Sequence, residues 1–406
     1  MTSRLPDRYR GGKLRVVHLS GDFPDPVDPG KTAAVLRLVE LTQDRFDHEV
    51  MSLNRRSPGQ GRLSDAFRNA LSPPRLTLRE ESFAYGHAIE YSAPGYGLWH
   101  RTMLETLGEQ LADRIAAAGP LPDLIVGHKL TIEGIATRRM ADRLRVPYAL
   151  SIQGNTDTRI LAARPDLRNH LREIFHDAAM VFSFAPWALR QVEARLGERT
   201  APSVVLPCAL GQDVTLPPRP SGGGLVTVFN LRHWRNKGFD RTVAALRASA
   251  GPARRAGLTV IGGGDEATLA RCRELAGPTG LVSFAGPVEN GEIPARLNRA
   301  TALVLPSRRE SFGMVFIEAL FAGIPIIYPA GTAVDGYFDG EPFALRVDAG
   351  STASIAAAMD RAVTHEEELK AALADWQNSP RARRFTREAI GDAFASGLHR
   401  AASGAI

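Results

Sequence analysis

The stretch "TALVLPSRRESFGMVFIEALFAGIPIIYP", residues 301–329, holds a short apolar run, a polar loop, an apolar helical stretch and a second apolar run. Two short buried strands separated by a helix are the signature of a βαβ unit in a parallel sheet. "TALVLPS" (301–307) reads as the first strand, Arg308–Phe312 as the loop after it and Gly313 as the turn. A helix is expected from about Met314 to Phe321, ended by Ala322–Gly323 before Pro325 opens the next strand. Two carboxylates sit in this apolar setting, Glu310 and Glu318. The neighbours of Glu318 at i−4, i−3, i+3 and i+4 are Met314, Val315, Phe321 and Ala322, an apolar face on which a charge needs a polar partner. The start of the helix presents N–H groups and the positive end of its dipole, an anion site. Glu310 precedes that end, and Glu318 lies about 7.5 Å further along the axis at about 1.5 Å per residue. A diphosphate at the helix start would have Glu310 near the group on its outer side and Glu318 near a ribose. The plainer alternative is that Glu318 faces solvent or pairs with an arginine.

The same alternation runs outward in both directions. Towards the N-terminus the strand candidates are 14–20, 48–53, 122–128, 148–154, 178–184 and 203–210, with helical patterns between most of them. Residues 54–95 show no assignable pattern. "GQDVTLPPRPSGGG" (211–224) breaks the rhythm with three prolines and three consecutive glycines, and reads as an interdomain linker. A second set follows at 225–231, 257–264, 281–288, 301–307 and 324–329. The fold class is therefore α/β, with two consecutive βα domains, 1–210 and 225–385, and the cleft between them as the natural ligand site. Residues 386–406 read as a final amphipathic helix that packs back on the first domain.

Composition narrows the function. The 406 residues carry a net charge of +6, with 28 Lys+Arg against 24 Asp+Glu up to residue 200 and 22 against 20 after it. Neither half is a polycationic module, so a nucleic-acid partner is not expected. Cys208 and Cys272 stand apart from each other and from any His cluster, which argues against disulfides, structural zinc and thiol redox chemistry. The N-terminus lacks the apolar core of a secretory signal and no uncharged run is long enough to span a bilayer, so a cytoplasmic protein is expected. Arg55, Arg56, Arg62 and Arg68, with the aromatic region 83–99, admit two readings: a face resting on anionic lipid, or a solvated charged face.

Three further motifs bear on chemistry. "DPGKT" (28–32) resembles the end of a phosphate-binding loop, but Asp25 stands where its first glycine belongs, and Asp22, Asp25 and Asp28 are wrong for a phosphate cradle. Gly30 either lets the backbone approach a ligand or belongs to a plain turn. In "VFNLRHWRNKGFD" (228–240), Arg232 and Lys237 lie just beyond a strand end, placed for a diphosphate. "TVIGGGDE" (259–266) lacks dinucleotide spacing and reads as a strand-to-helix turn near a ligand.

Taken together these residues resemble a retaining GT-B glycosyltransferase, specifically glycosyltransferase family 4. "LPSRRESFGMVFIEA" matches the family's strand-Pro-Ser followed by E-x₇-E, with Glu310 and Glu318 as the two glutamates. Arg232 and Lys237–Gly238 match its Arg and Lys-Gly, and "PDLIVGH" its strand ending in a histidine that borders the sugar, here His128. The resemblance implies two Rossmann-like domains facing across a cleft. It also implies a nucleotide-sugar donor, a saccharide or lipid-linked saccharide acceptor, retention at the anomeric carbon, and no metal or other cofactor. Bacterial exopolysaccharide, lipopolysaccharide or glycolipid synthesis is the expected setting. In this view Arg232, Lys237 and the N–H groups around Phe312, Gly313, Met314 and Val315 stabilise the leaving diphosphate. Glu310 orients sugar hydroxyls, Glu318 holds the ribose and His128 bonds the sugar. Rival implications are a nucleotide-sugar epimerase, a phosphorylase, or a catalytically silent binding subunit. The chain departs from the family pattern in its lone Gly30, in Gln153 where a histidine is common, and in "AGTAVDG", whose one acidic residue is Asp335.

Overall fold

Eight strands build the first sheet: β1 Leu14–Ser20, β2 Phe46–Arg56, β3 Leu78–Phe83, β4 Gly86–Ser92, β5 Leu124–Gly127, β6 Tyr148–Ile152, β7 Met180–Ser183 and β8 Ser203–Val205. They are ordered β3-β4-β2-β1-β5-β6-β7-β8, all parallel except for the antiparallel pair β3–β4. A computed structural model gives this architecture and describes residues 12–56, 75–94 and 98–404. Central β1 is buried at every position but Arg15, as a parallel strand covered on both faces must be.

Six strands build the second sheet: β9 Leu225–Val228, β10 Leu258–Ile261, β11 Val282–Gly286, β12 Ala302–Val304, β13 Ile326–Pro329 and β14 Ala344–Val347. Their order is β11-β10-β9-β12-β13-β14, and every pairing is parallel. The stretch 301–329 forms β12, the helix Met314–Phe321 and β13. The helix bounds are those the sequence indicates, because Gly313 (φ 76°) and Gly323 (φ 80°) sit at its two ends in conformations that side chains resist.

Contacts divide the chain into two units, one reaching to Phe184 with Ala188–Ala209 and the residues from Glu388 on, the other Leu210–Arg387 with Ala185–Trp187. Residues 211–224 are thus part of the second unit and not a free connector. The Leu216 N–H donates to Phe321 O at 2.8 Å, the Gly223 N–H to Arg299 O at 2.7 Å, and Arg219 Nε to Asn298 Oδ1 at 2.7 Å. The triple glycine serves close approach: a Cβ on Gly222 would lie 2.2 Å from the backbone of Ala300.

The C-terminal helix, Arg387–Ala402, covers one face of the first sheet. Phe394 is fully buried, edge-on to Phe182 with centroids 5.0 Å apart and 6.4 Å from the ring of His18. Gly397 leaves room for the Phe182 ring, which a Cβ there would meet at 2.4 Å. Replacing Phe394 with alanine removes a core aromatic from this seam, and denaturant unfolding is expected to show a loss of about 3–5 kcal/mol. A loss below about 1 kcal/mol would mean the helix is not part of the cooperative core.

Candidate active site

In the second unit the chain leaves β9 and makes a short 3-10 turn, Leu231–His233, capped by Asn230, whose side chain accepts from the Arg232 N–H at 3.0 Å. The Leu231 N–H donates to Gly263 O at 2.9 Å, which ties this turn to the glycine-rich loop after β10. Asp265 of that loop caps the helix Glu266–Ala276 through Thr268, and its other oxygen lies 3.2 Å from Arg232 Nε. The two Thr268 bonds hold the Asp265 carboxyl below its ordinary range, with a smaller part from Arg232. The Arg232 side chain is otherwise exposed.

The loop 232–238 is stitched to the loop after β12, 73 residues on. The Arg308 N–H donates to Asn236 O at 2.7 Å, and Asn236 Nδ2 to Arg309 O at 3.0 Å. The Arg308 guanidinium bonds Arg235 O and, at 2.7 Å, Asp240. A Cβ on Gly238 would lie 2.3 Å from Pro306 O, so only glycine lets the two backbones come this close. At the centre of the seam the Lys237 ammonium is ion-paired with the Glu310 carboxylate, both half-buried. Thr332 fixes the Glu310 backbone, with its Oγ1 3.0 Å from the Glu310 N–H, and the Ala333 N–H donates to Glu310 O at 2.9 Å.

Glu310 lies four residues before Met314, where the helix Met314–Phe321 begins with Gly313 at its N-cap. Its Cγ packs over Gly313, where a Cβ would meet it at 2.9 Å. Phe312 is buried, edge-on to Tyr337, and anchors the turn. Met314, Val315 and Glu318 are half-buried. One end of the second sheet thus gathers Arg232, Lys237, Glu310, Phe312, Gly313, Met314, Val315 and Glu318. Asp335 is committed elsewhere: buried, it accepts from the Gly331 N–H at 2.8 Å and pairs with Arg346 at 2.7 Å.

Gly30 and His128 lie in the first unit. Gly30 is exposed, and its N–H donates to Asp28 Oδ1 at 3.1 Å. Lys31, the lysine of "DPGKT", is bound to Asp25 at 2.7 Å and to Ser52 at 3.0 Å, which leaves it no part in a phosphate loop. Burial would raise the Asp25 carboxyl, but Lys31, Ser52 and Asn54 together hold it at about 2.

His128, at the end of β5, is fully buried and stacked on His18. Its Nε2 is 3.0 Å from His18 Nδ1; His18 Nε2 is 2.9 Å from His48 Nδ1; and His48 Nε2 is 2.9 Å from Thr42 Oγ1. Burial is the largest cause that pushes all three rings down, His128 to about 3 and His48 to about 4; nearby cationic groups add to it at His18 and His128, while the Thr42 bond and Asp47 partly oppose it at His48. Beside His128 lies a cluster the sequence reading missed. Lys129 pairs with Asp22 at 2.7 Å and Glu133 at 3.7 Å, and Glu133 accepts from the Gly21 N–H at 2.6 Å. Asp157 accepts from the Thr131 N–H and hydroxyl. Burial raises both Glu133 and Asp157, while the surrounding carboxylates keep Lys129 charged. The missed signal was positional: these residues follow β1, β5 and β6 directly, at the strand ends where α/β proteins bind ligands.

Of the four arginines read as a basic face, Arg56 is ion-paired with Glu90 and the Arg55 guanidinium donates to Pro94 O, while Arg62 and Arg68 lie outside the described residues. No described helix is long and apolar enough to cross a membrane.

The histidine chain makes a pH prediction. An unfolded histidine titrates near 6.5. Between that value and the lowered folded values the unfolded chain binds more protons, so the histidines' stability is present above about pH 6.5 and lost as pH falls towards 4. Glu133 and Asp157 act in the opposite sense at the acid end, so the comparison is made between proteins. From pH 7 to 5 the unfolding free energy of wild type is expected to fall more steeply than that of His48→Gln, by on the order of 1 kcal/mol per pH unit. Parallel curves from denaturant melts would contradict the assignment of neutral buried rings.

Comparison with known proteins bears on these two units differently. Residues 221–375 match the family model Glycosyl transferases group 1. Over 189 residues the chain is 30% identical to 2-deoxystreptamine glucosyltransferase of Streptomyces kanamyceticus, 46% of each protein. Over 245 residues it is 27% identical to D-inositol 3-phosphate glycosyltransferase of Frankia alni, 55% of each. The matches span about half the length of these curated relatives. Sucrose-phosphate synthase from Thermosynechococcus elongatus superposes with a TM-score of 0.66 at 19% identity, covering 96% of this chain and 98% of that one. The chain therefore has the GT-B fold, two Rossmann-like α/β domains, and its resemblance to Glycosyl transferases group 1 falls on the unit that holds Arg232, Lys237, Glu310 and Glu318.

Proposed function

We propose that this protein is a retaining glycosyltransferase of family 4 that moves a sugar from a nucleotide-sugar donor to a hydroxyl acceptor. The observation that carries the reading is the Lys237–Glu310 ion pair beside the start of the helix Met314–Phe321. A nucleoside diphosphate leaving the anomeric carbon takes the bonding electron pair onto its terminal phosphate oxygen, and that growing charge needs groups held in place beforehand. Lys237, Arg232 and the helix N–H groups supply them. Glu310 holds the Lys237 ammonium at the helix start and accepts from sugar hydroxyls, and Glu318 accepts from the ribose. The acceptor oxygen then bonds to the anomeric carbon on the face the diphosphate leaves, and its hydroxyl proton passes to the departing phosphate oxygen. No side chain is assigned as general base. The cations take the place of a metal in this reading. Similarity to a 2-deoxystreptamine glucosyltransferase and a D-inositol 3-phosphate glycosyltransferase supports a small polyhydroxylated acceptor.

A panel of UDP-, GDP- and ADP-sugars tests this by thermal shift. One donor is expected to raise the melting point of wild type in EDTA and to do so much less in Glu318→Ala. If none of them shifts it, the transferase reading fails in favour of a silent binding subunit. With that donor and an accepted hydroxyl compound, Lys237→Ala is expected to lower turnover by about 10²–10³. Turnover within tenfold of wild type would remove Lys237 from the role. Excess chelator should leave the wild-type rate unchanged, and a rate that collapses and returns with Mg²⁺ would overturn metal independence.

A further inference from the structure

The histidine chain of the first unit has a direction that the hydrogen-bond geometry fixes. The Thr42 hydroxyl lies 2.7 Å from Leu38 O, a carbonyl that can only accept. Without a proton between them, two oxygens at that distance would set lone pair against lone pair, so Thr42 gives its single hydroxyl proton to Leu38. Thr42 Oγ1 therefore accepts from His48 Nε2–H. Nitrogens 2.9 and 3.0 Å apart require one proton between each pair, and a neutral imidazole carries only one. With His48 protonated on Nε2, its Nδ1 must accept from His18 Nε2–H, and His18 Nδ1 must in turn accept from His128 Nε2–H. Every ring is thereby set to the same tautomer, and the chain ends on a lone pair at His128 Nδ1.

That nitrogen is buried and has no hydrogen-bond partner among the described residues. An unmet buried acceptor costs about 1–3 kcal/mol, and native proteins hold few of them without a reason. Three more unmet atoms belong to residues that follow these strands: Gln153 Nε2, a donor after β6, and two acceptors, Glu133 Oε2 after β5 and Asp157 Oδ2 after β6. A donor among acceptors at the carboxyl ends of adjacent parallel strands suits a polyhydroxylated ligand, whose hydroxyls both give and take hydrogen bonds.

We propose that Thr42, His48 and His18 are positioning residues that hold His128 as a hydrogen-bond acceptor at Nδ1, for a hydroxyl donated by the sugar substrate. The identity of the ligand rests on the transferase reading above; the direction of the chain does not. Were the relay reversed, His128 would present an N–H and would select a substrate acceptor in its place. Thr42 is separated from His128 by two rings, yet its one hydroxyl proton decides what His128 offers.

The experiment uses the full-length protein labelled with ¹⁵N in histidine, with His18→Gln, His48→Gln and His128→Gln serving only to assign resonances. Wild type is expected to show His18, His48 and His128 neutral and protonated on Nε2, with the His128 Nδ1 signal moving to the hydrogen-bonded range when the stabilising nucleotide-sugar is added. Thr42→Val, which keeps the shape and removes the hydroxyl, should mix the tautomers and lower kcat/KM about tenfold. Nucleoside-diphosphate affinity should stay unchanged, and Thr42→Ser should restore both signals and rate. A proton on His128 Nδ1 in wild type overturns the proposal, as does a Thr42→Val protein with unaltered tautomers and rate. Should Thr42→Val fail to fold, the wild-type spectra alone still decide the direction. If the tautomers stand while no nucleotide-sugar binds, the relay survives and the transferase reading falls.

Discussion

An ammonium and a carboxylate drawn from loops 73 residues apart hold the second unit's working end together. Lys237 and Glu310 can meet only because Gly238 lets its loop run against Pro306 and because Asn236 and Arg308 lace the two backbones. A half-buried pair of this kind gains little net stability, since the cost of desolvating both groups offsets most of their attraction. In the proposed reading its value is positional. The cation is fixed beside a helix N-terminus before any anion arrives, so no reorganisation is left for the moment when charge moves.

The first unit solves a different problem by a different route. Its sheet buries the imidazoles of His18 and His128 beside the half-buried His48 of β2, and gathers Lys129 with three nearby carboxylates after β1, β5 and β6, a polar set inside an otherwise apolar layer. The cover over the histidines is the C-terminal helix, whose Phe394 lies against His18 and Phe182. Low dielectric surroundings keep the rings neutral, and neutral rings are what allow a one-way chain of hydrogen bonds. The apolar helix and the polar relay are therefore parts of one device: removing the first would let water in and erase the direction of the second.

How much of this the sequence disclosed depended on periodicity. β1 and the helix Met314–Phe321 were legible residue by residue because each is an apolar run closed by glycine or polar breakers. β3, "LREESF", was not, since it is a charged edge strand exposed along most of its length and carries no buried face to betray it. Short β14 escaped for want of length. The glycines at 222–224 looked like flexibility but mark a backbone pressed against Ala300, a tertiary fact that composition cannot encode. Among the candidate site residues, Arg232, Lys237, Glu310 and Glu318 could be read together because their spacing is local to two loops and one helix. Lys129, Glu133 and Asp157 converge only after three strands are laid side by side, and the cover over His18, on which His128 stacks, comes from Phe394, far along the chain.

The central claim is that Lys237 is placed for the second phosphate of a leaving nucleoside diphosphate. Isothermal titration of the preferred nucleoside diphosphate and its monophosphate against wild type and Lys237→Met, all in EDTA, tests it most directly. The account predicts that wild type binds the diphosphate at least tenfold more tightly than the monophosphate and that the substitution closes most of that gap. A gap that persists in Lys237→Met, or diphosphate and monophosphate bound equally by wild type, would contradict it.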